Sequence, residues 1–258
     1  MHAIISDIHG NATALKAVLE DIRRQGISTI YCLGDIVGYG PRPTDCIDLV
    51  RKHCQVAICG NHDVAVLTQA FGFHKYAREA IDWTRDQVKP TATSLWPTRA
   101  RWDFLRNLPD RHEEKEGRVL YVHGSPRDPV MEYVEESDTV DMGFGPSDKI
   151  KDIFSRVQWL CFVSHTHHPG VFTGDFKFVK PEALDGGRYQ IPADGKTIVN
   201  IGSVGQPRDQ NPRACYVTVN ESSVQYHRTE YDIEQVVNDV RAIGRLDERL
   251  GTRLREGK

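Results

Sequence analysis

Asp7-Ile8-His9-Gly10 follows an apolar run at the start of the chain, and four further clusters of ligand-type residues recur downstream. They are Gly34-Asp35, Gly60-Asn61-His62-Asp63, Val122-His123-Gly124 and Ser164-His165-Thr166-His167. Carboxylates, an amide and imidazoles, with no thiolate among them, suit hard-to-borderline divalent cations. Two such cations about 3.5–4 Å apart need a bridging carboxylate and terminal N and O ligands on either side. Asp35 is the natural bridge, as the one ligand-type residue ending the second apolar segment, with Gly34 and Gly38 allowing close backbone approach. Asp7 and His9, at i and i+2, can grip one metal together. Asn61 offers an amide oxygen and His123 an imidazole to the second, while His165 and His167 can serve one metal each. The chemistry indicated is dinuclear, metal-assisted hydrolysis.

Each cluster stands where a hydrophobic strand would stop, and a row of strand ends is where an α/β protein assembles a site from distant parts of its sequence. Residues 2–6, 28–33 and 56–59 read as strands. Between them lie a helix capped by Asn11 and carrying Leu15, Val18, Leu19 and Ile22, and a helix over 43–53. Repeated βα units imply a parallel sheet with right-handed crossovers. Residues 62–107 read as a helical layer or lid, its aromatics (Phe71, Phe73, Tyr76, Trp83, Trp96, Trp102, Phe104) taken as packing. Beyond 111 the pattern turns to strands at 111–116, 118–123, 158–163, 171–179, 188–191, 197–201, 214–219 and 222–227. A helical insertion is expected at 137–156 and a closing helix at 231–245. The expectation is one α/β domain over 1–258, with an added helical region and two packed sheets to house so many strands.

The composition narrows the surroundings. A net charge of −3 supplies no field to draw nucleic acid or an anionic membrane, and basic residues gather only locally, at 99–106 and 253–258. No run approaches the ~20 apolar residues of a membrane span. The first residues run directly into the Asp7 cluster without a signal-like segment. Six cysteines without a CxxC pair, several inside apolar runs, read as reduced buried thiols. A cytoplasmic protein is expected, with a small phosphorylated substrate, no nucleic-acid or membrane partner, and a homo-oligomer left open.

In their order, D-x-H, GD, GNHD, HG and [GS]-H-x-H, these clusters resemble the calcineurin-like metallophosphoesterases, closest to the compact bacterial branch of small phosphodiesterases and phosphatases. The likeness spans residues 5–167, with a further echo at Asn200–Arg208, where that branch often has an NPGS loop. The resemblance implies a four-layer αββα sandwich of two mixed sheets. It implies Asp7, His9, Asp35 and His167 on a first metal, and Asp35, Asn61, His123 and His165 on a second, the ions being manganese, iron, zinc, cobalt or nickel. The implied reaction is hydrolysis of phosphomonoesters or phosphodiesters, nucleotides among them, by in-line attack of a hydroxide bridging the metals. His62 would protonate the departing alkoxide or hydrogen-bond the phosphate, its ring held by Asp63 or Asp35. Arg127 and Arg208 are candidates for clamping phosphate, the plain alternative being an ion pair or a loop brace. His168 reads as an outer or surface residue.

Two departures qualify the likeness. The frequent GD-x-x-D-R is here Gly34-Asp35-Ile36-Val37-Gly38-Tyr39-Gly40, without the acid–arginine pair, which weighs against a protein phosphatase. Ser164 replaces a common glycine, with only local backbone freedom expected to change. Dinucleoside polyphosphates are the rival substrates. A fold-retaining scaffold without chemistry is the rival of a different class, and the intact ligand set argues against it.

Overall fold

The computed structural model describes residues 1–140 and 145–258. β1 (His2–Ile5) leads into α1 (Ala12–Arg24), whose first turn is closed by Asn11, its side chain accepting the Ala14 N–H at 3.0 Å. β2 (Ile30–Cys32), α2 (Pro43–His53) and β3 (Val56–Ala57) complete the βαβαβ unit. Three helices follow: α3 (Asn61–Leu67), α4 (Lys75–Val88) and α5 (Trp96–Arg106). Then come β4 (Arg111–Glu114), β5 (Val119–Val122), α6 (Asp148–Ser155), β6 (Leu160–Val163), β7 (Gly170–Phe172) and β8 (Phe178–Val179). The chain closes with β9 (Arg188–Gln190), β10 (Thr197–Asn200), β11 (Ala214–Val219), β12 (Ser223–Thr229), α7 (Ile233–Ile243) and α8 (Arg249–Thr252).

The strands form two six-stranded mixed sheets, ordered β3-β2-β1-β11-β12-β9 and β4-β5-β6-β10-β7-β8. Side chains alternate between faces along each strand, so one strand feeds two cores. Ile4 of β1 joins Tyr121, Phe162, Val199 and Val217 between the sheets, while its neighbours Ala3 and Ile5 turn outward onto Leu15, Val18 and Ile47 of the helices. In the second sheet Tyr121 points inward, and Leu120 and Val122 pack outward with Ile150, Ile153 and Phe154. Three stacked cores make four layers, the αββα sandwich. Truncating Phe162, wholly buried between the sheets, to alanine is expected to cost about 3–5 kcal/mol. A smaller cluster joins α4 to the C-terminal helices through Ala80, Trp83, Val236, Val240 and Leu250.

Within each sheet three strands run parallel: β1, β2 and β3 in the first, β5, β6 and β10 in the second. The ligand clusters lie just past the C-terminal ends of these strands, so two parallel triplets deliver them to a common edge.

The parallel run expected of the first βα units is present as β1, β2 and β3, and β11 adds antiparallel against β1 within the expected mixed sheet. Some sequence expectations need correction. The strand expected over 171–179 is a hairpin of β7 and β8, turning through Gly174-Asp175, with Phe176 at φ 60°. Of the insertion expected at 137–156, Glu136–Thr139 is a 3-10 turn and Asp148–Ser155 is helix, while 141–144 lie outside the described residues. The aromatics of 62–107 are not all packing. Trp83 is buried and Trp102 and Phe104 pack on the core, but Phe71 and Trp96 are largely exposed. Phe71 sits in the irregular stretch between α3 and α4, where no helical face turns it inward. All six cysteines are free, five of them buried. Among the described residues, no helix is long and apolar enough to cross a membrane.

Candidate metal centre

The loops after β1, β2 and β6 place their polar residues by an uncommon backbone conformation. Asp7, His9, Asp35, His165 and His167 all have positive φ, between 49° and 65°. Non-glycine residues seldom adopt this region, and each costs about 1–3 kcal/mol unless its surroundings fix it. Here neighbouring loops do so. Asp7 N–H donates to Gly34 O at 3.1 Å and His9 N–H to Asp35 O at 2.8 Å. The loop after β10 returns the support, with Gly205 N–H and Ser203 Oγ both donating to Asp7 O, at 2.8 and 2.9 Å. Gly60 lies so close to Asp35 that an added Cβ would strike Asp35 Oδ1, and at Gly34 (φ 92°) it would strike the Gly60 main chain.

These loops bring together Asp7, His9, Asp35, Asn61, His123, His165 and His167, all buried. Asp7, His9 and His167 form one group whose ligand atoms lie within 4.8 Å of one another, and Asp35, His123 and His165 form a second. Asp35 Oδ2 stands between them, 3.6 Å from His9 Nε2 and 3.5 Å from His123 Nε2. Asp7 Oδ1 lies 3.3 Å from His167 Nε2 and accepts no hydrogen bond. Asn61 Oδ1 approaches His123 Nε2 at 3.2 Å.

Three of the four imidazoles are anchored from behind by a main-chain carbonyl. His123 Nδ1 is 2.8 Å from Leu33 O, His165 Nε2 is 3.3 Å from Met131 O and His167 Nδ1 is 2.5 Å from Gln206 O. A carbonyl only accepts, so each of these nitrogens carries a proton, and in the neutral ring that a metal ion requires the opposite nitrogen presents a lone pair inward. His123 Nε2 then faces His165 Nδ1 at 3.1 Å, and His9 Nε2 faces His167 Nε2 at 3.2 Å. Inward lone pairs at such separations beside ionised carboxylates call for a cation, and this donor set fits one.

The electrostatics agree. Burial opposes the charge on Asp7 and Asp35, but the surrounding imidazoles outweigh it, His167 foremost for Asp7 and His123 for Asp35, and both stay ionised. Burial would lower His123 too, yet Asp35 lifts it to about 9. A carboxylate pair that draws a proton onto its neighbour in this way would draw a metal ion more strongly.

His62 lines the cavity over this centre, packed among Tyr39, Phe73 and His9 at centroid distances of 4.5, 4.9 and 4.7 Å. Burial in that aromatic setting lowers it to about 4, so the ring is neutral near pH 7. Neither expected carboxylate orients it. Asp35 Oδ1 accepts the His62 main-chain N–H at 2.8 Å, and Asp63 accepts from Val37 and Gly60 main-chain N–H groups, while His62 Nδ1 has no partner. His62 also forms a third group with His9 and Asp35 whose geometry could hold an ion.

The two arginines part ways. Arg208 lines the cavity, its Nε and Nη2 donating to Gln206 Oε1. Arg127 does not reach it, because its guanidinium pairs with Glu132 at 2.6 Å and Asp152 at 3.2 Å on the surface. His168 is exposed. Ser164 does more than free the backbone. Its buried hydroxyl lies 3.1 Å from His123 Nδ1 and 2.8 Å from Ser6 Oγ, linking the two sheets behind the imidazole. Several contributors escaped the sequence reading. Asn200 Nδ2 donates to Ser164 O and Thr166 Oγ1, strapping the His165–His167 loop, and Tyr133 stacks on His165 at 3.8 Å. The cavity, about 270 Å³, is walled by Tyr39, Phe71, Phe73, Met131 and Tyr133.

Comparisons with known proteins point to one family. The model of the calcineurin-like phosphoesterase family matches residues 3–194. A crystal structure of a metallophosphoesterase from Sphaerobacter thermophilus superposes with a TM-score of 0.81 at 36% identity, over 100% of this chain and 99% of that one. An uncharacterized protein of Methanocaldococcus jannaschii is 37% identical over 100% of this chain and 98% of its own length. A symmetrical bis(5'-nucleosyl)-tetraphosphatase of Thioalkalivibrio sulfidiphilus is 31% identical over 46% of this chain and 43% of its own length. With carboxylates and imidazoles meeting at the ends of two parallel strand triplets, and that match over most of its length, the chain belongs to the calcineurin-like phosphoesterases and is a hydrolase of phosphoric ester bonds.

Proposed function

We propose that the chain hydrolyses small phosphomonoesters or phosphodiesters, nucleotides among them, with two divalent cations held on the cradle. Asp7, His9, Asp35 and His167 would hold one ion and Asp35, Asn61, His123 and His165 the other. The observation that carries this reading is Asp35 Oδ2, lying 3.6 and 3.5 Å from imidazole nitrogens that belong to two facing pairs. Such ions, when bound, lower the pKa of water and neutralise charge on phosphoryl oxygens. Nitrogen and oxygen donors without thiolate suit manganese, iron, zinc, cobalt or nickel.

The chain's own residues supply the rest. His62, neutral near pH 7, has one ring N–H to donate to a phosphoryl or leaving-group oxygen, so its pKa favours hydrogen bonding over delivery of a full proton charge. Arg208 brings a permanent positive charge to the same cavity. Phe71, Phe73, Met131 and Tyr133 offer apolar surface to the ester group. Dinucleoside polyphosphates are the second reading, supported by the likeness of part of this chain to tetraphosphatases. The test is turnover of p-nitrophenyl phosphate and bis(p-nitrophenyl) phosphate by manganese-loaded protein, with metal content measured on the same sample. Turnover that tracks metal content is expected; a metal-loaded protein inert towards phosphorylated metabolites and both chromogenic esters would sink the reading.

A further inference from the structure

The carbonyls that anchor three of the ligand imidazoles come from unlike places. Leu33, behind His123, and Gln206, behind His167, are buried. Met131, behind His165, is half exposed and belongs to the loop that leaves the metal centre at His123. Tyr133, in the same loop, stacks face to face on the His165 ring, with the two planes 11° apart. The orientation of His165 therefore depends on what holds this loop.

A clasp around Glu132, the residue between Met131 and Tyr133, holds it. One Glu132 carboxylate oxygen accepts Arg127 Nη2 at 2.6 Å and the other accepts Arg127 Nε at 3.1 Å, the two-pronged geometry in which guanidinium and carboxylate fit best. The buried Ser125 hydroxyl also donates to this carboxylate, and it accepts the Arg127 and Asp128 main-chain N–H groups at 3.0 and 3.2 Å. Asp128 Oδ1 accepts the Val130 and Met131 N–H groups at 3.2 and 3.0 Å, and Gly124 N–H donates to Pro129 O at 2.6 Å. The loop wraps Gly124 so closely that a Cβ there would strike the Asp128 and Glu132 carbonyl oxygens. Arg127 Nη1 reaches Asp152 of α6 at 3.2 Å, tying the clasp to the helix that packs on the second sheet. Isolated exposed ion pairs contribute little, but this one is two-pronged, networked and one residue from the carbonyl behind a ligand.

We infer that the Arg127–Glu132 clasp is a positioning device for the metal centre: it presents the Met131 carbonyl to His165 Nε2, fixes the tautomer with Nδ1 inward, and so sets the affinity of the ion that His165 holds. This rests on the two-ion reading proposed above. Arg127 and Glu132 are positioning residues, acting through Met131. His123 and His167 are anchored outside the loop, by Leu33 and Gln206, so the ion assigned to Asp7, His9 and His167 is spared. A partner that fixes the tautomer of a ligating imidazole commonly contributes about 10- to 100-fold in metal affinity.

The test has a metal-free arm and a metal-binding arm, both on the full chain. In the first, long-range proton–nitrogen spectra of the metal-free protein report which ring nitrogen of each histidine carries the proton. His165 should be protonated at Nε2 in the unaltered protein and become a mixture of tautomers in Arg127→Gln and Glu132→Gln, with His167 unchanged. In the second, manganese is titrated calorimetrically. One of the two ions should bind about tenfold or more weakly in Arg127→Gln and the other as before. Arg127→Lys, which keeps the charge but not the fork, should fall between. Melting of the metal-free variants should stay within about 3 °C of the unaltered protein. Arg23→Gln, which breaks an equally two-pronged pair with Glu20 on α1, should change neither readout. An unchanged His165 tautomer in Arg127→Gln, unchanged manganese affinity, or equal weakening of both ions would each overturn the inference. Uptake of a single ion by the unaltered protein would instead overturn the two-ion reading, and the His165 tautomer would still decide the clasp.

Discussion

Asp7, His9, Asp35, His165 and His167 are at most 3% exposed and share a left-handed backbone, whereas Phe71, Met131 and Tyr133, lining the same cavity, are 78%, 50% and 43% exposed. The first group is fixed from several directions at once, by carbonyls behind the imidazoles, by the Asn200–Gln206 loop and by glycines that leave room for Asp35. The second group is held more loosely, Phe71 by its own loop and the Met131–Tyr133 segment by its contacts with His165. The contrast teaches where the two halves of the function are stored. Reaction chemistry needs ligand atoms placed to within a fraction of an ångström, so it is built on strained, over-determined backbone. Choice of substrate tolerates movement, so it can rest on exposed side chains.

Substitutions can break that contrast if it is false. The largest effect is expected at Asp35, where Asp35→Asn removes the charge shared by both imidazole pairs. Turnover should fall by about a thousandfold or more, some 4 kcal/mol, and metal content per chain should drop with it. Gly60→Ala comes next. Its methyl group would collide with Asp35 Oδ1, so a loss of about 1–3 kcal/mol in unfolding free energy and a fall in kcat are expected together. Gly72→Ala, in the outer wall with open space around it, should show only the smaller strain of its φ of 79°, with kcat retained. Equal kcat losses in the two glycine variants would remove the distinction between cradle and wall.

Ser164→Ala probes the layer behind the ligands. It deletes a hydroxyl that reaches His123 Nδ1 and Ser6, and a loss of about 10-fold in metal affinity is expected with little change in melting temperature. The smallest effect on stability belongs to Phe71→Ala, whose exposed ring should leave unfolding free energy within about 0.5 kcal/mol. What should move there is KM, and differently for different esters. A collapse of kcat in Phe71→Ala for every substrate would place the wall within the chemical machinery and contradict its assigned part.

The same contrast explains what the sequence could and could not disclose. Asp7, Asp35, Asn61, His123 and the His165–His167 pair each stand within a few residues of a strand's end, so local pattern and order sufficed to find them. Asn11 as a helix cap, helix Pro43–His53 and strand Ala214–Val219 were equally local. Tyr39, Tyr133 and Asn200 matter through approaches between segments far apart in the chain, which no spacing encodes. Arg127 shows the converse. Four residues after His123 it looked well placed, but Glu132 and Asp152 draw its side chain away, the latter 25 residues further on. The misread hairpin at 171–179 had a visible signal in Gly174-Asp175, masked by apolar residues on both sides.

The most direct test of the account is anomalous diffraction from crystals of manganese-loaded protein. Two peaks about 3.5–4 Å apart, both within bonding distance of Asp35 and flanked by the His9–His167 and His123–His165 pairs, are expected. No peak at Asp35, or a single ion held by His9, Asp35 and His62, would contradict the dinuclear centre.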